Sequence, residues 1–184
     1  GLAANGLLLG KAADVPGAAG GSLSIGLDLY DRSQNPNSSI SGSIVPFPTR
    51  DRILTITPDP AIALPGSPAN GTARISAQQL QAGGFDQIEL KSTDVIAIDG
   101  SVDLGAKRSL VLDAPVLRGD PGASASLHAA YVALGNVNGA NQPGAGTTLP
   151  VRDPASGNAA LNVDARLVDI RGNSILDGFS TARY

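Results

Sequence analysis

The chain contains no cysteine, methionine or tryptophan in its 184 residues, and only three tyrosines and three phenylalanines. Without cysteine it has no disulfide framework, no thiolate metal site, no thiol nucleophile and no thiol redox couple. Its hydrophobic content of 42% comes almost entirely from alanine, valine, isoleucine and leucine. That content is too high for a disordered chain, and the length suits one domain or part of a larger one.

Basic charge and long apolar runs are also lacking. The formal net charge is −3 and the isoelectric point is near 4.9, so no basic surface can be assembled to neutralise nucleic-acid phosphates. No apolar run reaches the roughly 18 residues that a membrane-spanning helix needs. The chain opens on Gly1 with no signal-like segment, and we expect a piece of a longer protein or a processed product.

Turn-forming residues are abundant. The chain has 23 glycines, 13 prolines, and 15 aspartates against a single glutamate. Aspartate and glycine favour turns, whereas glutamate favours helices. This composition predicts short strands separated by turns.

One pattern recurs along the chain. ISAQQLQAGG, LHAAYVALGN and VDARLVDIRG all have apolar residues at the first, third, sixth and eighth places, with alanine always third. Glycine follows each of these stretches closely, where a positive φ is cheap. We expect these apolar residues to face inward: Ile75, Ala77, Leu80 and Ala82; Leu127, Ala129, Val132 and Leu134; and Val163, Ala165, Val168 and Ile170.

The pattern is that of a strand, a corner and a second strand. Alternation over three residues indicates one buried face, and the two-residue break shifts the phase as a corner would. Related units begin at Ile56, Leu90 and Leu112, which gives start-to-start spacings of 19, 15, 22, 15 and 36 residues. Stacked units of this kind predict an all-β fold, a parallel β-helix (β-solenoid) in which aliphatic side chains form ladders.

Two other folds share parts of this pattern. A β-sandwich also has short alternating strands, but it gives no reason for alanine and glycine to return at fixed offsets. A βαβ layout needs longer helical stretches, and only residues 73–82 could form one; their apolar spacing fits a solenoid equally well.

The domain organisation follows from where the pattern stops. We expect residues 1–184 to form a single β-helix segment of a longer chain. Residues 31–51 and 136–158 lack alternation and are rich in turn-forming residues, so they are predicted loop excursions. Because uncovered strand edges associate, we expect either end-to-end self-association or a covering segment at one terminus, and residues 174–184, with Phe179 buried, are the candidate cover.

A family resemblance rests on the stretch from Gly71 to Asn136. It contains AGGFDQIELKS, then IDGSVDL, RSLVLDAP and ASLHAAYVALGN, and it resembles the repeat region of large exoproteins of the filamentous-haemagglutinin family. The resemblance implies a right-handed parallel β-helix shaft. It also implies two-partner secretion through an outer-membrane partner and a role in adhesion or display at the cell surface. Asn35–Pro36–Asn37 is similar to a motif of the family's secretion domain, but no second copy appears, and we favour a proline-fixed turn inside a polar loop.

Arg118–Gly119–Asp120 spells the tripeptide that integrins recognise, so these three residues are a candidate receptor contact. Recognition requires a protruding loop that presents both the arginine and the aspartate. Arg171–Gly172–Asn173 stands in the matching place of a later unit, and we therefore expect both triplets to be the same solenoid corner.

His128, the single histidine, is the one residue around which a catalytic triad could form. A Ser-His-Asp triad would use Ser126 with Asp113 or Asp120, but no GxSxG elbow is present, so we expect a solvated strand histidine. A glycosidase-type site could draw on Asp99, Asp103 and Asp113 with Lys107 and Arg108. Most aspartates sit beside glycine or proline, which favours turns, and no EF-hand or nonapeptide calcium motif occurs.

The sequence therefore predicts a non-enzymatic structural shaft segment of a secreted bacterial surface adhesin, with no catalytic residue, cofactor or metal site. The expected partners are an unidentified host or bacterial surface receptor or glycan and the secretion partner, with no nucleic acid. The alternative is a carbohydrate-active or glycan-binding β-helix module, which turnover or binding on a polysaccharide panel would reveal.

Overall fold

The structure is a computed structural model that describes residues 2–3, 8–11, 18–27, 52–59, 71–137 and 157–184. The described chain contains thirteen strands and one short helix. The elements are β1 (Leu2–Ala3), β2 (Ser22–Leu27), β3 (Ile53–Thr57), β4 (Thr72–Ser76), α1 (Ala77–Ala82), β5 (Gln87–Ser92), β6 (Val95–Ile98), β7 (Ser101–Gly105), β8 (Ser109–Asp113), β9 (Val116–Gly119), β10 (Ser124–Gly135), β11 (Ala159–Arg171), β12 (Ile175–Asp177) and β13 (Phe179–Arg183).

The strands form two sheets, and every described pairing is parallel. Sheet A has the order β1-β4-β3-β6-β9-β12. Sheet B has the order β13-β11-β10-β8-β5-β2, and β7 also pairs with β10. The predicted all-β class and the parallel pairing are confirmed.

Sheet B divides lengthwise into two faces because β10 is long. Face B1 contains β7, residues 124–128 of β10, residues 160–164 of β11, and β13. Face B2 contains β2, β5, β8, residues 131–135 of β10 and residues 167–171 of β11. From β6 onward the chain passes from sheet A to face B1 and then to face B2.

Aliphatic side chains at matched register line the space between the sheets, and they explain why these segments form strands. In face B2, Leu90, Leu112 and Leu134 lie side by side on successive strands and are buried. In sheet A the equivalent row is Leu54, Ile96 and Leu117. Branched and unbranched aliphatic side chains stack well at the 4.7–4.9 Å spacing of neighbouring strands.

The offset in sequence between paired residues of neighbouring strands differs from the spacings of the sequence pattern. Val95 pairs with Val116, Ser101 with Ser124, and Ser109 with Tyr131, which gives offsets of 21, 23 and 22 residues. The pattern units are not equivalent positions: the unit at Leu90 runs from sheet B into sheet A, whereas the unit at Leu127 stays in sheet B. Any bend between two half-buried strands produces the same spacing of apolar residues.

The second strand predicted after Ile75 is a helix. Ala77–Ala82 forms α1, in which Ala77 and Leu80 are buried and the Ser76 hydroxyl accepts a hydrogen bond from the Gln79 N–H. A serine N-cap starts a helix, and apolar residues three apart share a helix face. The cap at Ser76 therefore decides that this segment is a helix and not a strand.

α1 also explains why sheet A is out of chain order between β4 and β6. The helix packs against β7, where face B1 would otherwise have a strand edge. A helix is about 10 Å across, roughly twice the spacing between strands. Because α1 takes up about as much space across the sheet as two strands, sheet A has room for one more strand between β4 and β6, and β3 occupies it.

The corners predicted within the last two full units are not breaks between strands. β10 and β11 are each continuous, and the alternation of inward-facing and outward-facing residues changes register partway along each strand. Leu127, Val132 and Leu134 are buried as expected, but Ile170 is 61% exposed because no described strand covers that edge of β11.

The predicted end cover lies in the described chain, whereas the predicted loop excursions lie almost entirely outside it. Residues 174–184 contain β12 and β13, the outermost strands of sheets A and B, and Phe179 is buried. The predicted excursions 31–51 and 136–158 lie outside the described residues except at 136–137 and 157–158. Asn35–Pro36–Asn37 also lies outside them.

Candidate functional site

The outer side of face B1 carries two neighbouring rows of mostly polar side chains. Alternation along the strands sends Leu104, Leu127 and Val163 inward and places their neighbours outward. The register sets Asp103, Ser126 and Asn162 in one outward row, which Arg183 extends. Gly105, His128 and Asp164 form the next row.

His128 is held by an aspartate that the sequence did not single out as its partner. Its Nδ1 lies 3.2 Å from Oδ1 of Asp103, and the side chains of both residues are about half exposed or more. The imidazole lies over Gly105, where an added Cβ would be 1.9 Å from Nε2. Because Nε2 faces the Gly105 backbone, the arrangement differs from a triad, in which Nε2 must face the serine hydroxyl.

Two adjoining shallow cavities flank His128. One, of about 430 Å³, is bordered by Ser126, Asn162, Asp164, Arg183 and Tyr184. The other, of about 560 Å³, is bordered by Lys107, Asp164 and Arg166. Together they form a mixed-charge groove, called the His128 groove below, with a 56% exposed tyrosine at one end.

Arg118, Gly119 and Asp120 do not form the same corner as the later triplet. Arg118 and Gly119 end strand β9, whereas Gly172 follows β11 with a φ of 62°. The Nε of Arg118 donates to Oδ2 of Asp177 at 2.8 Å, and the Asp177 side chain is fully buried. The arginine of the tripeptide is therefore bound within the molecule, between β9 and β12.

The carboxylates considered for a glycosidase-type site have separate partners. Asp99 binds Arg74 at 2.6 Å, and Asp103 faces His128. Asp113 is buried and accepts a hydrogen bond from the Val137 N–H at 2.8 Å. The structure thus distributes these aspartates among three different contacts rather than around one cleft.

A second polar cluster, on face B2, has no counterpart in the sequence pattern. The Tyr131 hydroxyl donates to Oδ2 of Asp169 at 2.9 Å, and Nε of Arg171 donates to the same oxygen at 2.6 Å. Hydrogen bonds from Arg171 and Tyr131 hold the pKa of the Asp169 carboxyl below its usual value. Partial desolvation and the hydrogen bond to Asp169 raise the pKa of Tyr131. Only the register between β10 and β11 brings these residues together.

Within the described ranges, no three histidine, cysteine or acidic side chains come together as a potential metal site. In the same part of the chain no helix has the length and hydropathy of a membrane span. No family model, curated protein or solved structure significantly matches the chain.

Proposed function

We propose that the chain coils as a right-handed parallel β-helix and serves as a non-enzymatic shaft segment of a secreted bacterial adhesin of the filamentous-haemagglutinin type. One observation carries the proposal: the strands of sheet A and of both faces of sheet B pair parallel and in register, with aliphatic side chains stacked at inward positions such as Leu54–Ile96–Leu117 and Leu90–Leu112–Leu134. Parallel in-register stacking gives a stiff rod whose turns contact mainly their neighbours. The resemblance around Gly71–Asn136 supplies the secretion route and the cell-surface location.

The function of such a shaft is to hold loops away from the cell surface. β10 and β11 pair along almost their whole length, so the chain must return from Gly135 to Ala159 between them. No described strand of sheet A comes from this return, since β12 pairs directly with β9. The segment 138–156, together with 31–51, is the proposed carrier of receptor contacts.

A cell-binding assay tests the display function. Replacing residues 138–156 by a glycine-serine linker should weaken binding of the purified chain to target cells and leave the thermal midpoint within a few degrees. The matched control is Asp120→Ala, which should bind as the parent does, because Arg118 is already engaged by Asp177. Hydrolysis or elimination on a polysaccharide panel by the parent chain would contradict the non-enzymatic proposal.

The His128 groove favours a second candidate, a glycan-binding module. Hydroxyl, amide, carboxylate and guanidinium groups line it, with Tyr184 as a surface on which a sugar ring can stack. Arg183→Ala should then lower glycan affinity about tenfold or more, whereas Lys91→Ala, a cation on face B2, should not change it. Unchanged binding by Arg183→Ala would remove this candidate.

A further inference from the structure

The larger cavity of the His128 groove lies at the bend where face B1 passes into face B2. Two cations, Lys107 and Arg166, border it together with four alanine side chains: Ala106, Ala129, Ala130 and Ala165. Because alanine side chains are short, they form a depression between the two longer cations. In the proposed β-helix further turns stack along the axis, so this outer side stays open in a longer shaft.

Lys107 and Arg166 are exposed, and neither belongs to an ion pair among the described residues. Four other cations each bind a carboxylate at 2.6–2.8 Å: Arg74, Lys91, Arg118 and Arg171. The two cations of the cavity thus differ from those of sheet A and face B2, whose charges are already matched. Their charges are free to bind an anion from outside the molecule.

The strand register brings these two cations to opposite sides of Ala130. The ladder between β10 and β11 places Ala130 beside Arg166. Lys107 lies in the bend between β7 and β8, which both pair with β10 on its other side. About two strand spacings, roughly 10 Å, therefore separate the main chains of the two cations. A single anionic group above Ala130 is within reach of both long side chains.

The part of the groove on face B1 carries more acidic than basic charge. Asp103 faces His128, Asp164 lies in the same outward row as His128, and Arg183 is the arginine beside them. A second anion placed here would be repelled by two carboxylates. Neutral sugar hydroxyls, in contrast, form hydrogen bonds with carboxylate and guanidinium groups alike. The groove therefore suits a ligand with one negative group, at the bend, and neutral units beside it.

We propose that the His128 groove binds an oligosaccharide that carries a single carboxylate. The carboxylate lies above Ala130 between Lys107 and Arg166, and neutral sugar units extend along Ser126 and Asn162 on face B1. The guanidinium of Arg166 can donate two parallel hydrogen bonds to a carboxylate, and Lys107 adds a compact positive charge. This inference rests on the glycan-binding candidate above and specifies the class of its ligand.

A panel of oligosaccharides of equal length tests the ligand class on the purified chain, with neutral, singly carboxylated and densely sulfated members. We expect the singly carboxylated members to bind about tenfold more tightly than the neutral ones, with no further gain from sulfation. Equal or tighter binding of neutral or sulfated members would overturn this proposal and leave the glycan-binding candidate standing. No binding of any member would remove both.

Substitutions at Ala130 test the position of the carboxylate. Ala130→Glu places a carboxylate of the chain itself between the two cations, whereas Ala130→Gln adds a side chain of the same size without the charge. Since Ala130 is exposed, both variants should keep the thermal midpoint of the parent. We expect Ala130→Glu to weaken binding of the carboxylated ligand about tenfold more than Ala130→Gln does. Equal effects of the two variants would overturn the proposed position.

A cation variant tests the same contact from the other side. Arg166→Gln should weaken binding of the carboxylated ligand about tenfold and leave binding of the same ligand unchanged once its carboxylate is reduced to an alcohol. Lys91→Gln, on face B2, is the matched control and should bind both ligands as the parent does. Loss of binding in Arg183→Ala but not in Arg166→Gln would refute the carboxylate contact and keep the glycan-binding candidate.

Discussion

Four aspartates are buried in the described chain, and each has a partner from a distant part of the sequence. Asp86 accepts a hydrogen bond from the Gly20 N–H, Asp94 from the Arg52 N–H, and Asp113 from the Val137 N–H. Asp177 pairs with Arg118. A short carboxylate reaches a main-chain N–H beside a turn, whereas a longer glutamate has more rotamers to fix. This accounts for the use of aspartate rather than glutamate at these four buried positions.

The Arg118–Asp177 pair should be the most sensitive ion pair of the molecule. Asp177→Asn removes the charge of the fully buried carboxylate that faces the largely buried Arg118 guanidinium, and we expect a loss of about 3 kcal/mol in the free energy of unfolding. Asp99→Asn is the matched control, because its pair with Arg74 is more exposed and should contribute below about 1 kcal/mol. Urea denaturation of both variants measures the difference, and equal losses would contradict the structural role of Arg118.

Asp169 should make stability depend on pH in the acid range. Its folded pKa is lowered by Arg171 and Tyr131, so its contribution is present above the unfolded pKa and is lost as pH falls through the folded pKa. Asp169→Asn should therefore lower the thermal midpoint at neutral pH, and the difference from the parent should vanish at a pH below the folded pKa. A difference that does not change with pH would show that the carboxylate charge is not involved.

At the scale of single elements, α1 depends on one buried hydroxyl. The Ser76 Oγ accepts from the Gln79 N–H and donates to the Pro58 carbonyl, tying the helix start to the chain after β3. Ser76→Ala should cost about 1–2 kcal/mol in the free energy of unfolding. Ser101→Ala, at an exposed serine, should stay within about 0.5 kcal/mol. Equal costs in thermal or urea unfolding would show that the cap does not hold α1.

The strands could be predicted from the sequence because they follow the alternation of apolar residues. Leu90 and Leu112 face the core as expected, and the bends after Ser92 and Asp113 separate strands of different sheets. The sequence does not predict the helix because the spacing of Ile75, Ala77 and Leu80 fits both a bent strand and a helix. Only the serine cap at Ser76 distinguishes the helix from the strand. The contact of His128 with Asp103 depends on the register between β7 and β10, which the pattern within each strand does not specify.

For the molecule as a whole, the repeated register matters more than any single side chain. Leu112 of β8 has Leu90 on one side and Leu134 on the other, so removing one turn brings two leucines together. In sheet A, β9 would take the place of β6 beside β3, so Leu54 would face Leu117 in place of Ile96, whereas Ile56 would face Gly119 in place of Ile98. If the chain coils as proposed, a rod of stacked turns should tolerate this loss, since each turn contacts mainly its neighbours.

Deleting residues 95–115, so that Asp94 is followed by Val116, tests this property directly. We expect a folded protein with an unchanged β spectrum, a cooperative thermal transition and a length reduced by about 4.8 Å in small-angle scattering. Deleting only residues 95–104 is the control, because it removes β6 and all but the last residue of β7 while β8 stays in the chain, so sheet A and face B1 each lose a strand that face B2 keeps. If the full-turn deletion unfolds as readily as the half-turn deletion, the two sheets form a closed unit and the shaft interpretation is wrong.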